Sequence, residues 1–342
     1  MVELMVATII SLILSLSVLE VYIAQTNSYR TTNSQGIIQN LQNAIGFLVT
    51  PVVRSAGFIG CGSMSTAVSN LNAGGPNPLG NLNTSPSMVM GYNGGSSSIT
   101  TQADPNNDTS SSNWTPALDT SLTGNVVRGS DVLVVLGSSP DSFPLTVSTI
   151  DTTTSALVLS GTFGVPILNG QYAAVSDCVK TIIFNVTGVS GDTISHASGS
   201  GPLNNTNSAF SISFQPGSQF IPLQQTAFFV GRGPGGQAAL MVARLNGASW
   251  TILPLIPGVE TMKVQYGIGT NGRVSQYVSA NAVTNWSQVY ALRIGFLLAG
   301  KPGSGYANTG PFMVLDTSVT APSDTRIRQT YEISINLRNA VI

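Results

Sequence analysis

Glu3 is an ionisable side chain in the most apolar part of this sequence, where a charge is least favourable. It lies at the start of an apolar segment, residues 2–23, which is long enough to cross a bilayer as one helix. A carboxylate within such a segment is costly and indicates a functional role, that of an anion that needs a cation as its partner. A signal anchor or a cleaved secretory segment is the alternative. A cleaved segment would have a shorter apolar core and a small-residue cleavage site, so we prefer a membrane helix.

Two patterns suggest enzyme chemistry but fit turns and loops better. Residues 231–236 (GRGPGG) have the spacing of a dinucleotide-binding loop. However, Pro234 lies inside the loop and no βαβ context precedes it, so we expect a hairpin turn. His196 is the only histidine, and no GxSxG sequence accompanies it. We therefore expect an exposed loop histidine rather than a member of a catalytic triad.

One pattern suggests a metal site. Asp104, Asn106 and Asp108 alternate as the first ligands of a calcium-binding loop do. The glycine and the terminal glutamate that such a loop requires are replaced by Thr109 and Thr115, so we expect a solvated loop. The sequence thus predicts no catalytic residue, no metal site and no cofactor.

The two cysteines, Cys61 and Cys178, are too far apart in sequence for a CxxC site. Two sulfur ligands without histidine partners also make a poor zinc site. In an oxidising compartment we expect one disulfide, which would contribute on the order of 4–5 kcal/mol by constraining the unfolded chain. Two buried free thiols are the alternative.

Helical periodicity continues beyond the apolar segment. The apolar side chains on one side of the continuing helix are Ile37, Ile38, Leu41, Ile45 and Leu48. A helix from residue 2 to about residue 50 would be roughly 70 Å long, and Pro51 would kink or end it. We divide the chain into a membrane-spanning half of the helix (1–24), a soluble half (25–56) and a globular head (57–342).

The head is predicted to be rich in β-structure. Short apolar runs separated by turn signals such as Asn271-Gly272 predict strands. The predicted strands are 132–136, 181–186, 211–214, 227–230, 239–245, 262–266, 292–298 and 331–337. The turn-rich stretch 63–125 is expected to be a loop-rich insertion. Strands do not alternate with long helices, so the predicted fold is α+β: a long N-terminal helix packed on a predominantly antiparallel β head.

Composition excludes one class of partner. Charged residues make up 8% of the 342 residues, and the net charge is −1. A nucleic-acid-binding protein needs a dense basic surface, so no nucleic acid is expected as a partner. The 36 glycines and the many Ser, Thr and Asn residues favour an exported, β-rich protein over a cytosolic enzyme.

The start of the chain resembles the N-terminus of type IV pilins and type II secretion pseudopilins. Residues 2–7 (VELMVA) match the core of that motif. In that family the glutamate pairs with the N-terminal amine of a neighbouring subunit during assembly, and this role is carried over to Glu3. The family's basic leader, cleavage-site glycine and first mature residues do not precede Met1. We therefore expect an in-frame leader, ending in Gly-Phe, upstream of this start.

Five further phrases narrow the resemblance to PilW-type minor pilins, in that family's order along the chain. They are residues 54–61 (RSAGFIGC), 129–135 (GSDVLVV), 257–267 (PGVETMKVQYG), 286–294 (WSQVYALRI) and 337–339 (LRN). The resemblance implies a non-enzymatic subunit that helps to initiate a type IV pilus near its tip. Its partners would be other minor pilins and the major pilin, with a tip adhesin as a further candidate. It would lie in the inner membrane with a periplasmic head before assembly, and in the extracellular pilus afterwards.

Three alternatives stay open. A type II secretion pseudopilin would use the same helix, although its head is usually smaller than this one. A pilus-tip adhesin would contact a surface or a glycan through residues 63–125, where no resemblance to the family is found. A membrane-anchored periplasmic hydrolase is the third and weakest alternative.

Overall fold

The computed structural model describes residues 2–72, 87–95, 97–102, 104–138, 145–151, 155–160, 167–201, 204–246, 249–304 and 308–340. Within them the chain forms one α-helix, α1 (Val2–Arg54), followed by nineteen strands. The strands are β1 (Ala67–Ser69), β2 (Val89–Tyr92), β3 (Ser98–Thr100), β4 (Val132–Ser138), β5 (Leu145–Asp151), β6 (Ala156–Ser160), β7 (Tyr172–Ser176), β8 (Thr181–Asn185), β9 (Gly188–Ser190), β10 (Thr193–Ser195), β11 (Gln219–Arg232), β12 (Ala238–Asn246), β13 (Ser249–Pro257), β14 (Val259–Thr270), β15 (Arg273–Ser279), β16 (Val289–Ala299), β17 (Phe312–Val314), β18 (Thr317–Thr320) and β19 (Arg328–Asn336).

The helix α1 contains 53 residues and is about 80 Å long. Every side chain from residue 2 to residue 25 is exposed, whereas the later turns bury a stripe against the head. The buried members of that stripe are Ser34, Ile38, Ile45, Val49 and Val53. Their spacings of four, seven, four and four residues keep them on one face of the helix.

The predicted stripe is correct at its centre and wrong at one end. Ile38 and Ile45 are fully buried, and Leu41 packs against the same cluster. Leu48 is 36% exposed, because it lies about 80° around the helix from Ile38. Val49 lies only about 20° away and takes the buried position instead.

The helix continues through Pro51 for one more turn, to Arg54. Proline has no N–H to donate to the carbonyl four residues earlier, which belongs to Phe47. Phe47 lies on the solvent side of α1, with its side chain 79% exposed, so water can replace the missing donor. The helix therefore reaches the head's surface with its last turn intact.

Twelve of the described strands form one large sheet, and β11 is the strand that holds it together. Residues 219–222 of β11 pair with β7, and residues 223–229 pair with β4. Beyond residue 225, β11 also pairs with β12. One part of the sheet has the order β2-β4-β11-β12-β13, and the other has the order β1-β8-β7-β11-β5-β6-β10-β9.

A second sheet supports the helix. It has four antiparallel strands in the order β15-β14-β16-β19, and α1 contacts both β16 and β19. Ile38 and Ile45 share one hydrophobic cluster with Phe296 of β16 and Ile335 of β19. A third small sheet has the order β17-β18-β3. The expected fold class, a long helix packed on a mostly antiparallel β head, is confirmed.

The tight connection from β13 to β14 needs a glycine. Gly258 has a φ of +81°, in the left-handed region that side chains with a Cβ rarely adopt. A Cβ at this position would also lie 2.9 Å from the carbonyl oxygen of Ala299. Gly258 therefore allows β14 to enter the second sheet directly under α1, whose Leu41 is its other close neighbour.

Seven of the eight predicted strands lie in or overlap observed strands, and residues 211–214 do not. Phe210 and Ile212 pack against a cluster that contains the buried Phe214. Their alternation therefore reflects the burial of a loop rather than strand pairing. The expected turns are confirmed: Asn271-Gly272 joins β14 to β15, and residues 233–237 turn between β11 and β12.

The described parts of the segment 63–125 are built into the head rather than attached to its surface. It supplies β2, which pairs with β4 in the large sheet. It also supplies Trp114, Leu118 and Leu122, which are buried in one cluster with Phe229 of β11. The indole N–H of Trp114 donates a hydrogen bond of 2.8 Å to the carbonyl oxygen of Ser130.

The contact between α1 and the head can be tested with two substitutions two residues apart. We expect Ile45→Ala to lower the free energy of unfolding by about 2–5 kcal/mol, because it leaves a cavity in the largest cluster. Phe47→Ala removes a larger side chain from the exposed face of the same helix, so a change within about 0.5 kcal/mol is expected. Chemical unfolding of the two variants in detergent would measure this difference, and equal effects would contradict the packing described.

Candidate functional site

The N-terminal half of α1 is an exposed apolar rod. Among the described residues, α1 is the one helix that is long and apolar enough to cross a membrane. Its most apolar window of 18 residues has a mean hydropathy of 2.3, and none of that window is buried in the protein. Leu4 is 72% exposed and Leu14 is 67% exposed. Such a surface is stable only in lipid or against other apolar helices.

Two carboxylates interrupt this rod. Glu3 lies in the first turn of α1, where a negative charge is favoured by the helix dipole. No described lysine or arginine lies within ion-pairing distance of it. Glu20 lies 17 residues later, about 25 Å along the axis and on a different face. Glu20 was not predicted as a functional residue, although its place inside the apolar segment was a sufficient signal.

A disulfide ties the chain that leaves α1 to the large sheet. Cys61 and Cys178 are bonded, as expected, and 117 residues separate them in sequence. Cys178 lies in the turn between β7 and β8. The backbone N–H of Cys61 also donates to the side-chain oxygen of Gln219, on β11, at 3.1 Å. The segment that follows the helix is therefore fixed to two neighbouring strands.

The end of the helix is also tied to the end of the chain. The side-chain amide of Asn339 donates a hydrogen bond of 2.9 Å to the carbonyl oxygen of Ala56. The N–H of Gly57 donates to the carbonyl oxygen of Leu136, on β4, at 2.8 Å. Two of the phrases that carried the resemblance, 54–61 and 337–339, thus meet in space at the point where α1 joins the head.

A buried ion cluster joins the second sheet to the loop before β19. Arg328 donates to both carboxylate oxygens of Glu260 at 2.8 Å, and to both oxygens of Asp324 at 2.7 and 2.8 Å. The side chains of Arg328 and Glu260 are 0% and 2% exposed. Burial alone would lower the pKa of Arg328, but the hydrogen bonds and charges of Asp324 and Glu260 outweigh it and raise that pKa. Arg328 therefore stays charged inside the head.

A second buried pair joins the two main sheets. The Lys263 ammonium lies 3.0 Å from the Asp131 carboxylate, and both side chains are 4% exposed. Asp131 also accepts hydrogen bonds of 2.9 Å from the N–H groups of Gly94 and Val264. Neither ion cluster was predicted from the sequence. Their signal was the presence of two charged residues, Glu260 and Lys263, within the short strand phrase VETMKV.

The expectation that His196 is exposed is wrong. Its residue is only 2% exposed, and its ring stacks on that of Phe210 with 4.0 Å between ring centroids. The ring also meets Phe184 edge-on at 5.6 Å. Burial among these aromatic rings disfavours the charged form and lowers the pKa of His196 to about 4. The histidine therefore behaves as a neutral aromatic core residue.

The loop that resembled a calcium site uses its oxygens within the protein. The Asp108 carboxylate accepts hydrogen bonds from the N–H of Ser110 and the amide of Asn113. The side-chain oxygen of Asn106 accepts one from Arg232 at 2.9 Å. Within the described part of the chain, no group of three or more His, Cys, Asp or Glu side chains is arranged to hold a metal ion.

The geometry defines a class of protein: a helix of membrane-spanning length whose first half is exposed and apolar and whose second half packs on a β head. Comparison with protein families then gives a specific match. Residues 227–339 match the family model of Type IV Pilus-assembly protein W. The resemblance to PilW-type proteins is confirmed for this region, which contains three of the five phrases, 257–267, 286–294 and 337–339.

The comparisons with solved structures and with curated proteins are less specific than the family match. The chain is similar to a solved structure of a type IV-like pilin from Thermus thermophilus, with 19% sequence identity. The similarity covers 51% of this chain and 86% of the pilin, with a TM-score of 0.25. A TM-score of this size does not support a conclusion about the fold. No curated protein matches the chain.

The ion cluster around Arg328 predicts a large effect of one substitution. We expect Arg328→Gln to lower the free energy of unfolding by about 3–5 kcal/mol, because it leaves the Glu260 charge buried without its cation. Arg293→Gln is the matched control: its pair with Glu332 is about half exposed, and a change of under about 1 kcal/mol is expected. Similar unfolding midpoints for both variants would contradict the cluster's role.

The burial of His196 predicts a specific pH dependence. Its pKa in the unfolded chain is about 6.5 and in the folded protein about 4. The group therefore contributes no pH dependence well above pH 6.5, where it is neutral in both states. Between pH 6.5 and 4 the unfolded chain gains a proton that the folded protein excludes, so the free energy of unfolding falls by on the order of 2–3 kcal/mol. His196→Phe should remove this decrease. Parallel pH profiles for wild type and variant would show that the prediction is wrong.

Proposed function

We propose that this chain is a minor pilin, a non-enzymatic subunit of the type IV pilus that helps to initiate the filament near its tip. The observation that carries the proposal is the division of α1 into two halves. One half is buried against the head through Ile38, Ile45 and Val49, and the other is an exposed apolar rod that begins with Glu3. The match of residues 227–339 to a pilus-assembly family supports this assignment.

The exposed half of α1 requires an apolar environment in every state of the protein. Lipid supplies it while the subunit waits in the inner membrane with its head in the periplasm. Inside a filament, the apolar helices of other minor pilins and the major pilin replace the lipid at little cost, because lipid tails and apolar side chains are similar in polarity. The same surface therefore serves as membrane anchor and as assembly interface.

Glu3 would favour the assembled filament over the free subunit in the membrane. A carboxylate is unfavourable in lipid, and it has no described cation nearby within its own chain. The N-terminal amine of a neighbouring subunit would neutralise it, and the attraction is strong where the surroundings have a low dielectric constant. Pairing would stabilise the assembled state relative to the free subunit and would set the axial register of the helices.

A secretion pseudopilin would use the same helix, and the family match favours the pilus over the secretion system. An adhesin role for residues 63–125 stays a prediction. The core position of Trp114 and Leu122 leaves fewer of this segment's side chains available for a ligand.

Three substitutions of Glu3 test the proposal. We expect Glu3→Gln and Glu3→Ala to leave the chain in the inner membrane but to reduce its recovery in sheared filaments, because both remove the charge that the neighbour's amine requires. Glu3→Asp should retain part of the wild-type recovery. Quantitative mass spectrometry of membranes and sheared pili would measure both pools.

The membrane pool is the control for insertion and the disulfide is the control for folding. If Glu3→Gln and Glu3→Ala enter filaments at the wild-type level, the pairing role of Glu3 is wrong. If the wild-type chain does not occur in filaments at all, the minor-pilin assignment is wrong.

A further inference from the structure

The last turns of α1 present an apolar ridge, formed by Phe47, Leu48 and Pro51, that the head does not cover. Phe47 is 79% exposed, more than any other large apolar side chain among the described residues. The position of Phe47 along the helix is also informative. Phe47 lies roughly 65 Å from Glu3 along the helix axis, which is far more than the thickness of a bilayer, so it lies at the level of the heads.

Two grooves flank this ridge. One has a volume of about 400 Å³ and lies between α1 and the large sheet, with Val52, Phe228 and Arg244 in its lining. The other has a volume of about 610 Å³ and lies between α1 and the C-terminal segment, where Arg54 and Arg338 line it. Ridge and grooves together form one surface, which we call the ridge surface.

The ridge surface concentrates positive charge that forms no ion pair among the described residues. Of the 13 lysines and arginines, six form ion pairs with described side chains: Arg128, Lys180, Lys263, Arg293, Arg326 and Arg328. Three of the other seven, Arg54, Arg244 and Arg338, lie on the ridge surface, and all three are exposed. No described aspartate or glutamate lines either groove.

A structural role within the chain accounts for only part of this arrangement. Arg54 lies in the last turn of α1, where a cation is favoured by the helix dipole. That explanation does not apply to Arg244, in the middle of β12, and it leaves Phe47 in water. An acidic apolar partner would satisfy all of these side chains at once, since guanidinium groups bind carboxylates in a two-pronged geometry.

We propose that the ridge surface docks a neighbouring pilus subunit through an apolar segment that carries carboxylates. The proposal rests on the proposed function, since it needs a filament or an initiation complex in which heads meet. Phe47 would be the apolar anchor of the contact. Arg54, Arg338 and Arg244 would select the partner and its orientation by charge.

Site-specific photo-crosslinking in cells that assemble pili tests this directly. The full chain carries benzoylphenylalanine in place of Phe47, or in place of Val179, which is 74% exposed, lines neither groove and serves as the control. We expect position 47 to crosslink to another pilus subunit, at a peptide that mass spectrometry identifies as containing Asp or Glu. Position 179 should give at most a tenth of that yield.

Charge variants in the same strain separate specific docking from mere exposure. Arg54→Gln combined with Arg338→Gln should lower the crosslink yield at position 47 about tenfold, as expected for the loss of roughly 1.4 kcal/mol of pairing. Arg273→Gln combined with Lys301→Gln removes two other exposed cations that pair with no described acidic side chain, and should leave the yield within about twofold.

The proposal is overturned if position 47 crosslinks only to lipid or to a second copy of this chain, or if both pairs of variants behave alike. None of these results would affect the Glu3 series, so they leave the minor-pilin assignment in place. Unchanged thermal unfolding of the Arg54→Gln/Arg338→Gln chain would confirm that it is folded. If that chain is unfolded, the single variant Arg244→Gln takes its place in the test. We then expect Arg244→Gln to lower the crosslink yield at position 47 at least twofold.

Discussion

A helix of 53 residues cannot bury its own apolar side chains, so the stability of each half depends on what that half packs against. The second half of α1 packs on the sheet formed by β15, β14, β16 and β19, and this contact orders the rest of the molecule. It fixes the direction in which the first half leaves the head. It also brings the disulfide and Asn339 to the point where the helix ends. The exposed half then extends from the head as a continuation of the packed half, and under the proposed function this one element would contact first a membrane and then a filament.

The buried charges reinforce the same contact from the other side of the sheet. Arg328 and Lys263 hold the strands under α1 against the loops around Asp324 and Asp131. Buried ion pairs add little net stability compared with apolar residues of similar size. Separating the two charges of a pair inside the protein is nevertheless costly in free energy. Alternative pairings of the strands, which would separate these charges, are therefore disfavoured. A single arrangement of the sheet keeps the surface that packs against α1 in one conformation.

The elements that were predictable from the sequence are those with a strong local signal. The apolar run and the stripe through Ile38 and Ile45 indicated the helix, and the alternation in 331–337 indicated β19. What escaped prediction depends on contacts distant in sequence. His196 is buried because Phe184 and Phe210 enclose it, and no local pattern shows this. The grooves beside α1 arise only when β4, β11 and β12 come together with the helix. The role proposed for Glu3 came from a resemblance, since the proposed partner would belong to another chain.

The rigid attachment of the second half of α1 to the head is the central claim of this account. Amide hydrogen exchange of the full-length protein in detergent micelles measures it most directly. The account predicts that residues 38–53 exchange as slowly as the strands β14 and β16, because they open only when the head unfolds. Exchange of residues 38–53 that is orders of magnitude faster than that of β14 and β16 would show that the helix moves independently of the head, and would contradict the account.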